Sequence, residues 1–207
     1  MPTPVVTRSA DRRTPSQRGL QTRQKLMNAT MELLAKRSYR DVKVANIAQR
    51  AGTSPATFYQ YFADVEDVVL EASRLLATET KAALDAFEDG TWSSDGLPGA
   101  TRLVDAVLDR WSGHLPVMRV LAAVAAEGEP RFYAAYIAAT KPLARALTAG
   151  AQTITPGRVR RELVHSLVCG LTAAAGHETA ESVQGLTKCQ RRRGLARVVH
   201  AAVTTAV

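Results

Sequence analysis

Three features of the sequence predict an all-α fold. Alanine and leucine dominate its apolar residues, β-branched runs are short, and apolar positions recur at spacings of three and four. At 46% apolar and 22% charged, the composition is that of a folded chain. Its 207 residues can bury a sizeable core, as one large domain or two small ones.

The elements follow in order. Residues 1–20, with Pro2, Pro4, Pro15 and Gly19 among four arginines, read as a flexible basic arm. Thr22 is placed as the cap of a helix running to about Arg37, with Leu26, Thr30, Leu33 and Leu34 on one face. Val44, Ile47, Ala48 and Ala51 fall at i, i+3, i+4 and i+7, the apolar face of a two-turn helix that Gly52 stops. Ser54 and Pro55 suit the N-cap and first position of a third helix, to Phe62. Asp64 opens a longer helix to roughly Phe87, and residues 89–99 form the clearest loop. Helical patterns follow near 100–114, 116–127 and 130–150, broken by Pro116 and by Gly128-Glu129-Pro130. Thr155-Pro156-Gly157 interrupts the chain before helices at about 158–181 and 190–205.

Charge divides the chain. Residues 1–62 carry eleven Lys and Arg against three Asp and Glu, whereas residues 63–207 are balanced, so the formal +8 sits wholly in the first third. A basic head on a neutral body points to a polyanion partner for the head and a different task for the body. The start, Met1 to Gly19, has arginines but no apolar stretch, which predicts no secretory leader. The longest uncharged apolar run, Leu163 to Gly176, is too short for a bilayer. Two cysteines without paired spacing, Cys169 and Cys189, fit a reduced, cytoplasmic protein that makes no membrane contact.

The segments 44–51 and 55–62, joined through Gly52, have helix-turn-helix dimensions. Ala48 must be small where the helices cross, Gly52 supplies a turn with φ > 0, and Ile47, Phe58 and Phe62 form a small core. Ser54, Ala56, Thr57, Tyr59, Gln60 and Tyr61 are then left for the outer face. Their hydroxyls, amide and phenols can meet phosphates or base edges in a major groove, and Pro55 and Ala56 allow close approach.

Residues 44–62, VANIAQRAGTSPATFYQYF, resemble the DNA-binding signature of TetR-type regulators at Ile47, Ala48, Ala51, Gly52, Ser54, Thr57, Tyr59, Tyr61 and Phe62. Tyr39 supplies the aromatic that the family pattern expects before the second helix. The resemblance implies about nine helices: a three-helix head (21–65) and a ligand-binding and dimerisation body (66–207). It implies a homodimer built on the last two long helices, with a small-molecule effector that shifts the heads out of register with a near-palindromic operator in double-stranded DNA. By the family pattern Thr57, Tyr59 and Tyr61 hold phosphates, while Pro55, Ala56 and Gln60 lie near bases. Three positions depart from it. Lys43 replaces the usual hydroxyl cap, so that Asp41 is the alternative cap and Lys43 a phosphate contact. Thr53 stands for the usual turn valine. Val65, in the acidic run 64–67, replaces a phosphate-binding lysine, a loss that the arginine-rich arm is placed to offset in a minor groove. Expected is a repressor released by a largely apolar effector; an activator or ligand-blind repressor of the same fold is the rival in mechanism.

In the body, Trp111, His114 and Met118 are spaced three and four apart, as on one helix face, and Phe132, Tyr133 and Tyr136 share the next. They read either as ordinary core or as the lining of an apolar cavity with polar handles. His165 and Cys169 lie one turn apart, but nothing on that face completes a metal ligand set, so neither a metal nor any other cofactor is expected. Ser166, Gly170, Ala173 and Ala174 suit close helix contact, across a dimer interface or within the subunit. The run Arg191–Arg193, with Lys188 and Arg197, reads as a solvated helix start. The chain has no phosphate loop, nucleophile elbow or paired Ser/His or Cys/His motif, so no enzyme is expected; a helical enzyme or carrier is the rival class.

Overall fold

Prolines and short polar side chains set where the helices begin. The computed structural model describes residues 17–154, 161–178, 180 and 182–204. Among these the head holds α1 (Gln17–Leu34), a 3-10 turn over Tyr39–Asp41, α2 (Val44–Arg50) and α3 (Pro55–Tyr59). The body holds α4 (Val65–Leu84), α5 (Leu97–Gly113), α6 (Leu115–Ala126), α7 (Pro130–Ile154), α8 (Arg161–Ala175) and α9 (Lys188–Thr204). Pro55, Pro98, Pro116 and Pro130 each occupy the first turn of a helix, where a missing N–H costs nothing. Asp64 caps α4 by accepting from the Asp67 backbone N–H at 2.8 Å, and Asp67 returns the favour by accepting from the Ala63 N–H at 3.2 Å.

The body buries one continuous core. α4 packs along α7, α6 lies against α7, and α5 is seated on α9. Leu76, Leu84, Leu103, Leu108, Trp111, Leu121, Phe132, Leu143 and Leu147 are fully enclosed. Burial of each such side chain contributes roughly 1.5–3 kcal/mol against exposure, which is why amphipathic stripes rather than helix propensity fix these elements.

Several boundaries differ from the sequence expectation. α1 begins at Gln17, and Thr22 lies inside it: its hydroxyl donates back to the Arg18 carbonyl at 3.0 Å rather than capping. Residues 17–20 of the expected arm are thus helical, while 1–16 lie outside the described residues. α4 stops at Leu84 and tightens into a 3-10 turn over Asp85–Phe87. Of residues 89–99, the last three already belong to α5, and the rest is the expected loop, folded inward. A 3-10 turn, Thr91–Ser93, drives Trp92 into the core, where its indole N–H donates to the Ala146 carbonyl of α7 at 3.2 Å. Gly150 of α7 lies under the indole, and Gly99 of α5 lies against the Trp92 carbonyl; a Cβ at either would collide. The break at 155–157 falls outside the described residues. Before α9 the chain makes a hairpin that the helical reading omitted, with β1 (Ser182–Val183) antiparallel to β2 (Leu186–Thr187). Its turn, Gln184-Gly185, has φ of 51° and 76°, the all-positive pattern of a two-residue hairpin turn.

Candidate nucleic-acid interface

The head is built as its sequence requires. Ile47, Ala48, Phe58 and Phe62 form its buried centre, with the Phe58 and Phe62 ring centroids 5.8 Å apart. Gly52 takes φ of 68°, and the next residue, Thr53, bonds back to the Ala48 carbonyl at 2.9 Å, closing the turn between α2 and α3. Ser54 caps α3: its hydroxyl accepts from the Thr57 N–H at 3.1 Å and lies 3.0 Å from the Thr57 hydroxyl. α1 closes the other side, with the Arg23 guanidinium 5.0 Å from the Phe62 ring centroid and 2.9 Å from Glu71 of α4.

What the packing leaves outside is a polar rim. Lys43, Ser54, Pro55, Ala56 and Gln60 are exposed, Tyr59 is 60% exposed, and Thr57 and Tyr61 are half-buried. Eight of the nine sequence-selected head residues therefore keep exposed or half-exposed side chains, seven of them along α3 and its flanks and Lys43 at the start of α2. Thr53 differs, because its hydroxyl oxygen is enclosed without a partner. Hydroxyl, amide and ammonium groups on a short helix projecting from a basic head can donate to phosphates and to base edges.

The six candidate residues of the body disperse. The helix breaks at His114, so Trp111 ends α5, His114 is the joint, and Met118 lies on α6. Trp111 is fully enclosed and its indole N–H donates to the Thr80 hydroxyl at 3.2 Å. His114 Nε2 lies 2.8 Å from the Glu79 carboxylate, which Arg110 also holds at 2.9 Å. Phe132 is enclosed, and Tyr133, the next residue round α7, is 57% exposed. Met118 and Tyr136 do come together. They line a cavity of about 510 Å³ between α6, α7 and α8, walled also by Leu115, Ala122, Thr172 and Gly176.

A family model described as bacterial regulatory proteins, tetR family, matches residues 26–72. A second, the tetracyclin repressor-like C-terminal domain, matches residues 84–206, more than half of the sequence. The chain belongs to the TetR family. It is a transcriptional regulator with a DNA-binding helix-turn-helix, and among its described residues no helix is long and apolar enough to cross a membrane. Solved TetR-like structures share its all-α fold over nearly their whole length. The fatty acid degradation regulator FadR from Bacillus halodurans is 16% identical, covering 90% of this chain and 96% of its own, with a TM-score of 0.60. FadR from Bacillus subtilis, solved in complex with stearoyl-CoA, is 15% identical, covers 89% and 98%, and has a TM-score of 0.63. A TetR-family regulator from Streptomyces coelicolor is 22% identical, covers 94% and 99%, and has a TM-score of 0.54. Curated proteins offer no match.

Two departures from the TetR pattern acquire physical reasons. Lys43 sits at the N-cap of α2 with no side-chain cap bond, and Asp41, within the 3-10 turn, does not take over that role. The acidic run around Val65 has structural work instead of phosphate work. Asp64 and Asp67 cap α4, and Glu66 pairs with Arg131 of α7 and lies near the Tyr39 hydroxyl. Burial, then the nearby Glu66 and Asp64 charges, push the Tyr39 hydroxyl well above its ordinary pKa, so it stays a donor. The Tyr39 ring also meets Phe132, with centroids 6.0 Å apart, and Arg40 reaches Glu127 of α6 at 2.6 Å. Head and body of this TetR chain thus meet along a polar-aromatic seam as well as through the Arg23–Glu71 pair.

In the basic run of α9, Lys188, Arg193 and Arg197 are exposed as expected, but Arg191 and Arg192 are not simply solvated. Arg191 donates to the carbonyls of His177, Ala180 and Leu186, holding the hairpin to the helix. Arg192 is 12% exposed and bridges Glu178, Asp105 and Asp109. The signal for a solvated face was composition alone; Asp105 and Asp109, one turn apart on α5, were the clue to a partner. His165 and Cys169 approach to 3.5 Å on the exposed side of α8, and among the described residues no three metal-ligating side chains converge.

Glu71 and Glu79 give the fold a pH dependence. Burial raises both carboxyls, but hydrogen bonds and charges from Arg23 and Arg74, and from His114 and Arg110, more than offset it and leave both below the ordinary value of 4.5. A lowered folded pKa stabilises above the unfolded value and is lost as pH falls through the folded one. The urea midpoint is therefore expected to fall as pH drops below about 4.5, and Glu79→Gln to flatten part of that fall.

Proposed function

We propose that the chain is a homodimeric, effector-responsive repressor that places two copies of the α3 edge in successive major grooves of a near-palindromic operator. The observation that carries this is the exposed polar rim of α3, with Lys43 at the start of α2, on a head whose own core is complete. Lys43, Ser54, Thr57, Tyr59 and Tyr61 are assigned to phosphates, Pro55, Ala56 and Gln60 to base edges, and Thr53 to the turn backbone that aims them. The head comprises residues 21–65 and the body 66–207. Small side chains on the exposed side of α8, at Ser166, Gly170 and Ala173, support pairing of two bodies there, since a Cβ on Gly170 would meet nothing. The cavity that holds Met118 and Tyr136 is assigned to a largely apolar effector, while Trp111, His114, Phe132 and Tyr133 lie outside its lining. The stearoyl-CoA carried by the Bacillus subtilis neighbour supports an effector with a long apolar part.

Selection of bound duplexes from a randomised pool with the full chain tests the reading. A palindromic site is expected; enrichment of no sequence by folded protein would overturn it. On the selected site, Tyr59→Ala and Thr57→Ala should each lower affinity about tenfold or more without changing thermal unfolding. Affinity of the parent should also fall steeply with salt through counterion release. Undiminished affinity in both variants would remove these residues from the interface.

A further inference from the structure

The wall that closes the apolar cavity belongs to a second groove as well. Arg119 and Ala123 of α6 line both. On their other side lies a cavity of about 420 Å³ between α6 and the segment from the end of α1 to the turn before α2. Its lining includes Lys36, Arg37 and Arg40 from the head and Arg119 and Glu127 from the body. Arg40 and Glu127 neutralise one another at 2.6 Å. Lys36, Arg37 and Arg119 have no carboxylate partner among the described residues, and Arg119 makes only a bond to the Gly176 carbonyl at 3.3 Å. The groove therefore holds three uncompensated cations beside a cavity whose other walls are aliphatic, aromatic and sulfur-bearing. DNA does not account for them. None of Lys43 or residues 53–61 lines this groove, which faces α6 rather than the α3 edge. Nor does the pairing face of α8 fill it, since no residue of α8 lines this groove, although Ala173 of that face lines the apolar cavity.

We propose that the effector is an amphiphilic anion that straddles Arg119, with its apolar chain beside Met118 and Tyr136 and its phosphate or carboxylate among Arg119, Lys36 and Arg37. This rests on the effector reading above and adds the anionic end and its position. The position has a mechanistic consequence. The anion touches the DNA-binding head directly at Lys36 and Arg37 while its chain is held by the body. A ligand with contacts on both sides of a joint favours whichever head orientation brings both into reach.

Calorimetric titration of the full chain with n-decyl phosphate, n-decanol and inorganic phosphate tests it. Decyl phosphate is expected to bind at least tenfold tighter than decanol at low salt. Its affinity should rise about fourfold per methylene from octyl to decyl as the chain enters the cavity. The pair Lys36→Gln with Arg37→Gln should remove most of the difference between decyl phosphate and decanol while leaving decanol binding as it was, and Arg119→Gln, which alters a residue of both cavities, should weaken decyl phosphate by a larger factor than decanol. These side chains are exposed, so thermal unfolding should stay at the parent value, and that measurement accompanies each titration. Equal affinity for decanol and decyl phosphate overturns the anionic end while leaving an apolar effector in place. Decyl phosphate no tighter than inorganic phosphate overturns the joined site, as does undiminished binding in both sets of variants. Failure of the regulatory reading shows separately, as a pool selection that enriches nothing while decyl phosphate still binds.

Discussion

Trp111→Ala is expected to remove about 3–5 kcal/mol of folding stability, a large share of what a domain of this size has. Trp111 has no accessible surface, so deletion of its ring loses the transfer energy of the indole and leaves a void that surrounding helices fill only in part. The Thr80 hydroxyl, itself enclosed, loses the indole donor at the same time, although like other helical threonines it retains access to its own backbone. Urea or guanidinium unfolding reads the loss as a lowered midpoint with an unchanged slope. Trp111→Phe keeps most of the volume and should cost clearly less. A Trp111→Ala protein of parental stability but altered effector response would reassign this residue from core to cavity wall.

Arg192→Met should be comparably damaging, at about 3–5 kcal/mol, for a different reason. The Glu178 side chain is 2% exposed and is held chiefly by the Arg192 guanidinium, with Lys188 at 3.3 Å as its other cation. Taking the guanidinium away strands a buried carboxylate and leaves Asp105 and Asp109 repelling each other on one face of α5. Methionine fills much of the space, so the loss is electrostatic rather than steric. The double variant Arg192→Met with Glu178→Met should regain more than half of it, because a buried pair replaced as a unit no longer leaves an orphan charge. Equal destabilisation of the single and double variants would show that packing, not charge, is what Arg192 provides. Hydrogen exchange along α9 should report the same order, since Arg192 ties α9 to α5 and, together with Lys188, to the turn after α8.

The head was legible in the sequence because its rules are local. A glycine that must turn, a Ser-Pro pair that must start a helix and apolar residues at i, i+3 and i+4 act within a few residues of one another, and Gly52, Ser54 and Ile47 stand where those rules put them. The body was legible as helices but not as a site. Trp111 and Met118 share a periodicity, yet the break at His114 separates their helices, and periodicity carries no record of such a break. Tyr133 and Phe132 are neighbours in sequence and face opposite environments. Arg192 looked solvated because its partners lie 14, 83 and 87 residues away. The hairpin before α9 had a signal, the Gln184-Gly185 pair, that a uniformly helical reading passes over. Only the joint of head and body, where Tyr39 meets Glu66 and Phe132, required three dimensions outright.

Trp92 carries a consequence for how this sequence can change over generations. Its ring rests on Gly150, which has no room for a methyl group while the indole stays; its carbonyl rests on Gly99, which has no room whatever side chain residue 92 carries. Gly150 cannot drift to alanine alone, and the indole cannot shrink alone without opening a void that Gly150 is too small to refill. Residues 92 and 150 therefore form one heritable unit on two separate stretches of chain. In a lineage descended from this protein they should be retained together or be replaced together, in steps that pass through a less stable ancestor.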